Sequence, residues 1–159
     1  MKLCGQKIKL IAYDFDGVMT DNKALILPNG DEAVFINRSD GLAIEKIKSL
    51  GILQVIISTE KNSIVLRRAK KLNINAINGV NNKLEVLKNY LSKKKIMLNE
   101  VAFIGNDLND YDVMQKVGIK ISPRNGSNEI LKIADYITSV NGGEGVVREI
   151  YDKICEENK

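Results

Sequence analysis

The sequence contains no histidine and no tryptophan, and only two cysteines, two prolines, three phenylalanines and five tyrosines. Each shortage removes a class of function. Without histidine there is no imidazole general base, no histidine-dependent nucleophile and no histidine zinc site. Catalysis would have to run on carboxylates, hydroxyls, lysine or a metal held by oxygen. Cys4 and Cys155 lie near opposite ends, in neither a CxxC nor a metal-ligand spacing, so a reducing, cytoplasmic setting is expected rather than a structural disulfide. Scarce aromatics leave no base-stacking surface, and the basic residues are dispersed, so nucleic acid is not an expected partner. The longest basic run, Lys93 to Lys95, suits a solvated helix end, where cations also match the dipole. No stretch approaches the ~20 uninterrupted apolar residues of a membrane span. Lys7 and Lys9 interrupt the apolar N-terminus, so no signal peptide is expected.

What remains is a chain of 159 residues, 44% hydrophobic and 28% charged, with a net charge of +4 that tilts it toward anionic ligands. It shows no repeat and no low-complexity tract, so one domain over residues 1–159 is expected. Continuous apolar runs at Ile8 to Tyr13, Leu53 to Ser58, Val101 to Ile104 and Ile119 to Ile121 suit strands buried on both faces of a parallel sheet. Asn75 to Ile77 and Tyr136 to Thr138 are weaker candidates. Helices are predicted over Asp40 to Leu50, Asn62 to Leu72, Asn82 to Lys93, Leu108 to Val117, Ser127 to Ala134 and Gly145 to Glu156. In the first of these Ala43, Ile44, Ile47 and Leu50 share a face, and Gly51 stops it. The alternation predicts a doubly wound α/β fold with a parallel, Rossmann-like sheet. One segment, about residues 23–37, breaks it: two short β-rich stretches around Pro28-Asn29-Gly30 predict an inserted β-hairpin.

In such sheets, ligands bind at the carboxyl ends of the strands. After the first apolar run come Asp14, Asp16 and Asp21; after the second come Ser58, Thr59 and Glu60. Lys83 opens the helix after the weak third strand, and Gly105-Asn106-Asp107 with Asp110 follows the fourth. Taken singly, each of these residues could be a cap or turn former. Lys83 is less easily explained, because a cation in a first helical turn opposes the dipole at a cost of roughly 0.3–1 kcal/mol. Taken together, clustered carboxylates call for a hard cation such as Mg²⁺, and a hydroxyl and a lysine beside it would bind a phosphoryl group.

DFDGVMTD at 14–21, Ser58, Lys83 and GNDLND at 105–110 resemble, in order, the four motifs of the haloacid dehalogenase-like phosphatases. The resemblance implies that Asp14 is the nucleophile that takes the phosphoryl group and Asp16 the general acid and then base. It implies that Ser58 and Lys83 bind phosphoryl oxygens, and that Mg²⁺ is held by Asp14, the Asp16 carbonyl and the fourth motif. That motif usually reads Asp-Asp; here Asn106 stands first, so the ligand is Asn106 or Asp107. A receiver domain would place its phosphoacceptor aspartate after the third strand, not the first. A non-catalytic oligomerising module beside a sugar-nucleotide synthetase is the alternative that Asn106 keeps open.

The gaps between motifs hold too few residues for a cap domain. A capless chain of this length with a hairpin after DxDGVxTD resembles the sugar-acid phosphatases for 3-deoxy-D-manno-octulosonate 8-phosphate and 2-keto-3-deoxynononate 9-phosphate. That resemblance implies a homotetramer in which a neighbouring subunit completes each site. GGEGVVREI at 142–150 resembles their C-terminal element, in which Arg148 is a substrate-carboxylate contact or a structural ion pair. Arg38-Ser39-Asp40-Gly41 and Ser58-Thr59-Glu60-Lys61 depart from the Arg-Asp-Gly and Thr-Gly-Arg of the eight-carbon group. Thr59 and Glu60, with Arg68 and Lys71 supplied from a neighbour, resemble the nine-carbon type, including N-acylneuraminate 9-phosphate; the eight-carbon enzyme is the alternative.

Overall fold

The computed structural model describes residues 2–3 and 5–158. The absence of a disulfide was expected of Cys4 and Cys155, and Cys4 lies outside the described residues. Lys2–Leu3 (β1) and Gln6–Lys7 (β2) form a short antiparallel ribbon that no hydrophobic pattern announces. The first long apolar run then supplies Leu10–Tyr13 (β3), buried at every position. Leu25–Ile26 (β4) and Glu32–Ala33 (β5) make the predicted hairpin. Its turn runs from Leu27 to Asp31, which pair through the Leu27 N–H and the Asp31 carbonyl at 2.8 Å. Only Gly30 in the loop has a positive φ, so the turn is a three-residue loop rather than a two-residue Asn-Gly turn.

The remaining elements alternate as expected: Arg38–Ser49 (α1), Leu53–Ile57 (β6), Ile64–Leu72 (α2), Asn75–Ile77 (β7), Lys83–Ser92 (α3), Val101–Ile104 (β8), Tyr111–Met114 (α4), Ile119–Ser122 (β9), Asn128–Ile133 (α5), Tyr136–Ile137 (β10) and Val146–Glu156 (α6). The six-stranded sheet has the order β10-β9-β8-β3-β6-β7, and every neighbouring pair is parallel. Successive side chains of a strand point to opposite faces. Along β3, Ile11 and Tyr13 therefore join an apolar cluster with α1, α2 and α6, while Leu10 and Ala12 join one with α3, α4 and α5.

Three helices depart from the periodicity by two residues or more. The Asn37 side chain accepts from the Ser39 N–H at 2.9 Å, so α1 starts two residues earlier than predicted. The Asn62 side chain accepts from the Ile64 N–H at 3.0 Å, so α2 starts two residues later than predicted. The predicted helix over Leu108 to Val117 is a 3-10 turn over Leu108–Asp110 followed by the short α4, because Asp110 turns its carboxylate back toward its own N-terminal loop. No cap domain interrupts the sheet among the described residues.

Candidate active site

The strand order reverses direction at β3: the chain runs from β3 out through β6 to β7, then returns to place β8 on the other side. Ligand crevices form at such points, beyond the carboxyl ends of the strands. A cleft of about 560 Å³ opens there, lined by Asp14, Asp16, Glu60, Thr59, Asn106 and Asp107 among others.

Asp14 is the first residue past β3, its N–H donating to the Ile104 carbonyl of β8 at 2.9 Å. Its Oδ1 accepts from its neighbour Phe15 N–H at 2.7 Å and faces Lys83 Nζ at 2.8 Å. The same ammonium donates to Asp110 Oδ1 at 2.7 Å, and all three side chains are buried. Asp110 Oδ2 accepts from the Asn106 N–H at 2.9 Å and so shapes the loop after β8. The dipole cost of a lysine opening α3 is thus offset by two buried carboxylates. Burial and the charge of Asp110 push Asp14 up to about 8, against the pull of Lys83.

Asp16 sits half-buried at the cleft wall, and Thr20 Oγ1 donates to its Oδ1 at 3.3 Å. Thr20 in turn accepts from the Gly17 N–H. Burial raises the Asp16 carboxyl above its ordinary value and outweighs that hydroxyl. A raised carboxyl holds its proton longer, which suits an acid. Between the two aspartates and the fourth motif lies Gly17, at φ +77; a Cβ there would stand 2.1 Å from Asn106 Nδ2. Only glycine lets the loop turn there and the Asn106 amide pack against it. Asn106 is buried, and its Oδ1 has no hydrogen-bond partner. A buried amide oxygen left unpaired at the wall of an acidic cleft fits an oxygen-coordinated divalent cation. Asp107 is exposed, and its Oδ1 caps the 3-10 turn by accepting from Leu108 N–H at 2.8 Å. Among the described residues, no three of His, Cys, Asp and Glu gather as a metal cluster, since one corner of this site is an amide.

Ser58 is buried at the end of β6, pinned by its N–H to the Ile77 carbonyl, and its Oγ accepts from the Glu60 N–H at 3.1 Å. Its hydroxyl proton is thereby left for another acceptor. Thr59 Oγ1 accepts from Asn109 Nδ2 at 3.2 Å across the cleft mouth. Glu60 Oε1 is fixed by the Lys61 and Asn62 N–H groups. Four of the residues singled out in the sequence do not reach this cleft in their own chain. Arg68 donates to the Asn37 carbonyl and, with Lys71, lines a groove between α1 and α2. Arg148 pairs with Asp152 one helical turn on. Asp21 accepts from the Lys23 N–H as a turn residue.

Residues 43–150 match the haloacid dehalogenase-like hydrolase family. The 3-deoxy-D-manno-octulosonate 8-phosphate phosphatase of Escherichia coli strain K12 is 34% identical over 148 residues, which are 92% of this chain and 79% of that protein. The solved structure of the same enzyme from Moraxella catarrhalis, in complex with magnesium ion, phosphate ion and KDO, aligns with a TM-score of 0.90 at 37% identity, over 94% of this chain and 86% of that one. The Yersinia pestis structure aligns with a TM-score of 0.90 at 32% identity, over 94% and 81%. The chain belongs to the haloacid dehalogenase-like hydrolases, within the capless sugar-acid phosphatase subgroup. It is a phosphomonoester hydrolase, which sets aside the non-catalytic alternative.

Proposed function

We propose that this chain is one catalytic domain that removes the terminal phosphate of a nine-carbon α-keto sugar acid through an aspartyl-phosphate. The observation that carries the phosphatase chemistry is Asp14 held by Lys83 at the floor of a cleft whose wall is Asp16. Asp14 attacks phosphorus while the bond to the sugar oxygen breaks, and Asp16 gives that oxygen its proton. Asp16, now a carboxylate, takes a proton from water; the water oxygen bonds to phosphorus and the bond to Asp14 breaks. Ser58 donates its hydroxyl proton to a phosphoryl oxygen, and Lys83 neutralises phosphoryl charge. Asp14, the Asp16 carbonyl and Asn106 Oδ1 would hold Mg²⁺, which when bound lets two anions approach each other. Replacing Asn106 by Asp restores a negative ligand, so a several-fold lower half-activating Mg²⁺ concentration is expected. An unchanged metal requirement would move the ligand role to Asp107.

Thr59 and Glu60 at the rim support the nine-carbon substrate, since they stand where the eight-carbon group has Gly and Arg. The eight-carbon reading is favoured by the names of the relatives. In either case Arg68 and Lys71 act from a neighbouring subunit of a homotetramer, and Arg148 acts as a helix-surface ion pair. The hairpin supports that assembly, since Ile26 and Phe35 are 68% and 76% exposed. An apolar hairpin of that exposure calls for a partner. The cytoplasm is the proposed setting.

Steady-state kinetics with Mg²⁺ on paired eight- and nine-carbon α-keto sugar-acid phosphates test the assignment. A kcat/KM about tenfold higher for the nine-carbon substrate is expected, abolished by EDTA; one extra carbon bearing a hydroxyl is worth about that in a fitted site. The opposite preference assigns the eight-carbon substrate, and turnover of neither removes the reading.

A further inference from the structure

Asp40 is a buried carboxylate that the reaction does not use, lying in the first turn of α1. Its Oδ1 accepts from the Arg148 N–H at 3.1 Å, in the first turn of α6. The free N–H groups at a helix start are usually met by a side chain of the N-cap residue. Here the N-cap is Gly145, at φ +105, which has none. α1 therefore supplies the acceptor that α6 lacks, and a carboxylate also suits the positive end of that dipole. Its other oxygen, Oδ2, is buried without a partner, so the charge is tolerated for what Oδ1 does.

The loop before α6 lies directly on the catalytic turn. A Cβ at Gly142 would stand 2.0 Å from the Gly17 carbonyl oxygen, so no side chain fits between the two backbones. Gly143, at φ +76, donates its N–H to the Val18 carbonyl at 3.0 Å, and a Cβ there would stand 2.6 Å from Asp21 N. Gly17 follows Asp16, and Thr20, whose hydroxyl holds Asp16 Oδ1, is also in contact range of Gly142. A displacement of the start of α6 is passed to Gly142 and Gly143 within a few residues, and from them to the turn that aims Asp16.

We propose that Asp40 is a positioning residue for proton transfer: by capping α6 from another helix it holds the Gly142–Gly145 loop as the back wall of the Asp16 turn. The inference rests on Asp16 being the general acid. It has a signature that mere support of the fold lacks. A sugar alkoxide must be protonated as it leaves, whereas p-nitrophenolate leaves without help. kcat/KM reports only the steps up to phosphoryl transfer, so Asp16's later work as a base does not enter it.

The experiment measures kcat/KM of the full chain on a sugar phosphate and on p-nitrophenyl phosphate for Asp16→Asn, Asp40→Ala and Asp40→Asn. For Asp40→Ala we expect a fall of about 10- to 30-fold on the sugar phosphate, a part of the 10²–10⁴ that a general acid supplies, and less than about 3-fold on the aryl ester. Asp40→Asn keeps an acceptor for the Arg148 N–H and should recover most of the loss. Should the alanine variant not fold, Asp40→Leu, which removes the acceptor but keeps the volume, is read by the same ratio. If Asp16→Asn is selective for the sugar phosphate and Asp40→Ala lowers both substrates equally or neither, or Asp40→Asn falls as far as Asp40→Ala, the inference fails. If Asp16→Asn itself shows no selectivity, it is the assignment of the general acid that fails.

Discussion

Asp14→Asn is expected to abolish turnover, with kcat on p-nitrophenyl phosphate reduced by about 10³-fold or more and no phosphoenzyme trapped on acid quench. An amide has no lone pair of comparable nucleophilicity and cannot form the acyl-phosphate, so neither substrate binding nor acid catalysis can compensate. The same variant should fold. Burial and the Asp110 charge push the Asp14 carboxyl up to about 8, so its charge is disfavoured in the metal-free protein and a neutral amide of the same shape fits in its place. The linkage has a definite sign. The unfolded chain loses this proton near pH 4 and the native chain near pH 8, so between those values the native state binds more protons and stability falls as pH rises. Removing the titrating group removes that slope. Thermal unfolding without metal should show Asp14→Asn gaining on the wild type from pH 5 to pH 8. A large loss of stability at pH 7 would mean that the inactive variant had lost its fold rather than its nucleophile.

How far the sequence goes toward this site depends on where each residue's partners lie. The β3 strand and its aspartates are legible because burial on both faces leaves a continuous apolar run, which a motif of acids and glycine ends. Asn106 and Lys83 are legible for a related reason: each is the wrong residue by local rules, an amide in an acidic motif and a cation at a helix start. Asp110 is less visible. As the last residue of a 3-10 turn it has the look of a capping aspartate, and it does cap, accepting from the Asn106 N–H. Its bond to Lys83 crosses 27 residues and two elements, and no local pattern encodes that. Thr20 and Gly142 are hidden for the same reason, since their roles exist only once the catalytic turn and the loop before α6 are pressed together. The N-terminal ribbon is too short for any periodicity. Arg68 and Lys71 share a helix face as their spacing requires, but that face looks away from the cleft of its own chain, and a single sequence does not say which face meets a neighbour.

Lys83→Met should be the most destabilising single substitution in the site. It removes the ammonium between Asp14 and Asp110, whose oxygens lie 2.8 and 2.7 Å from it, and leaves the Asp110 carboxylate facing the Asp14 carboxyl out of water with no cation between them. Removing one partner of a buried ion pair costs about 3–5 kcal/mol, because the remaining charge is uncompensated. Methionine fills most of the volume, so the loss is electrostatic rather than a cavity. Lys83 is one of the groups that hold Asp14 down, and without it the Asp14 carboxyl rises further. The deficit relative to wild type should therefore be smaller at pH 5, where protonation relieves it, than at pH 8. Chemical denaturation at the two pH values measures the difference. Adding Asp110→Asn removes one of the stranded charges, and the double variant should recover a substantial part of the stability, a coupling that a double-mutant cycle isolates. Phosphatase activity should not return with it. The cation proposed to neutralise the transferring phosphoryl group is absent in both, so recovery of stability without recovery of turnover would separate the role the structure shows, balancing buried acids, from the proposed one, balancing phosphate during the reaction.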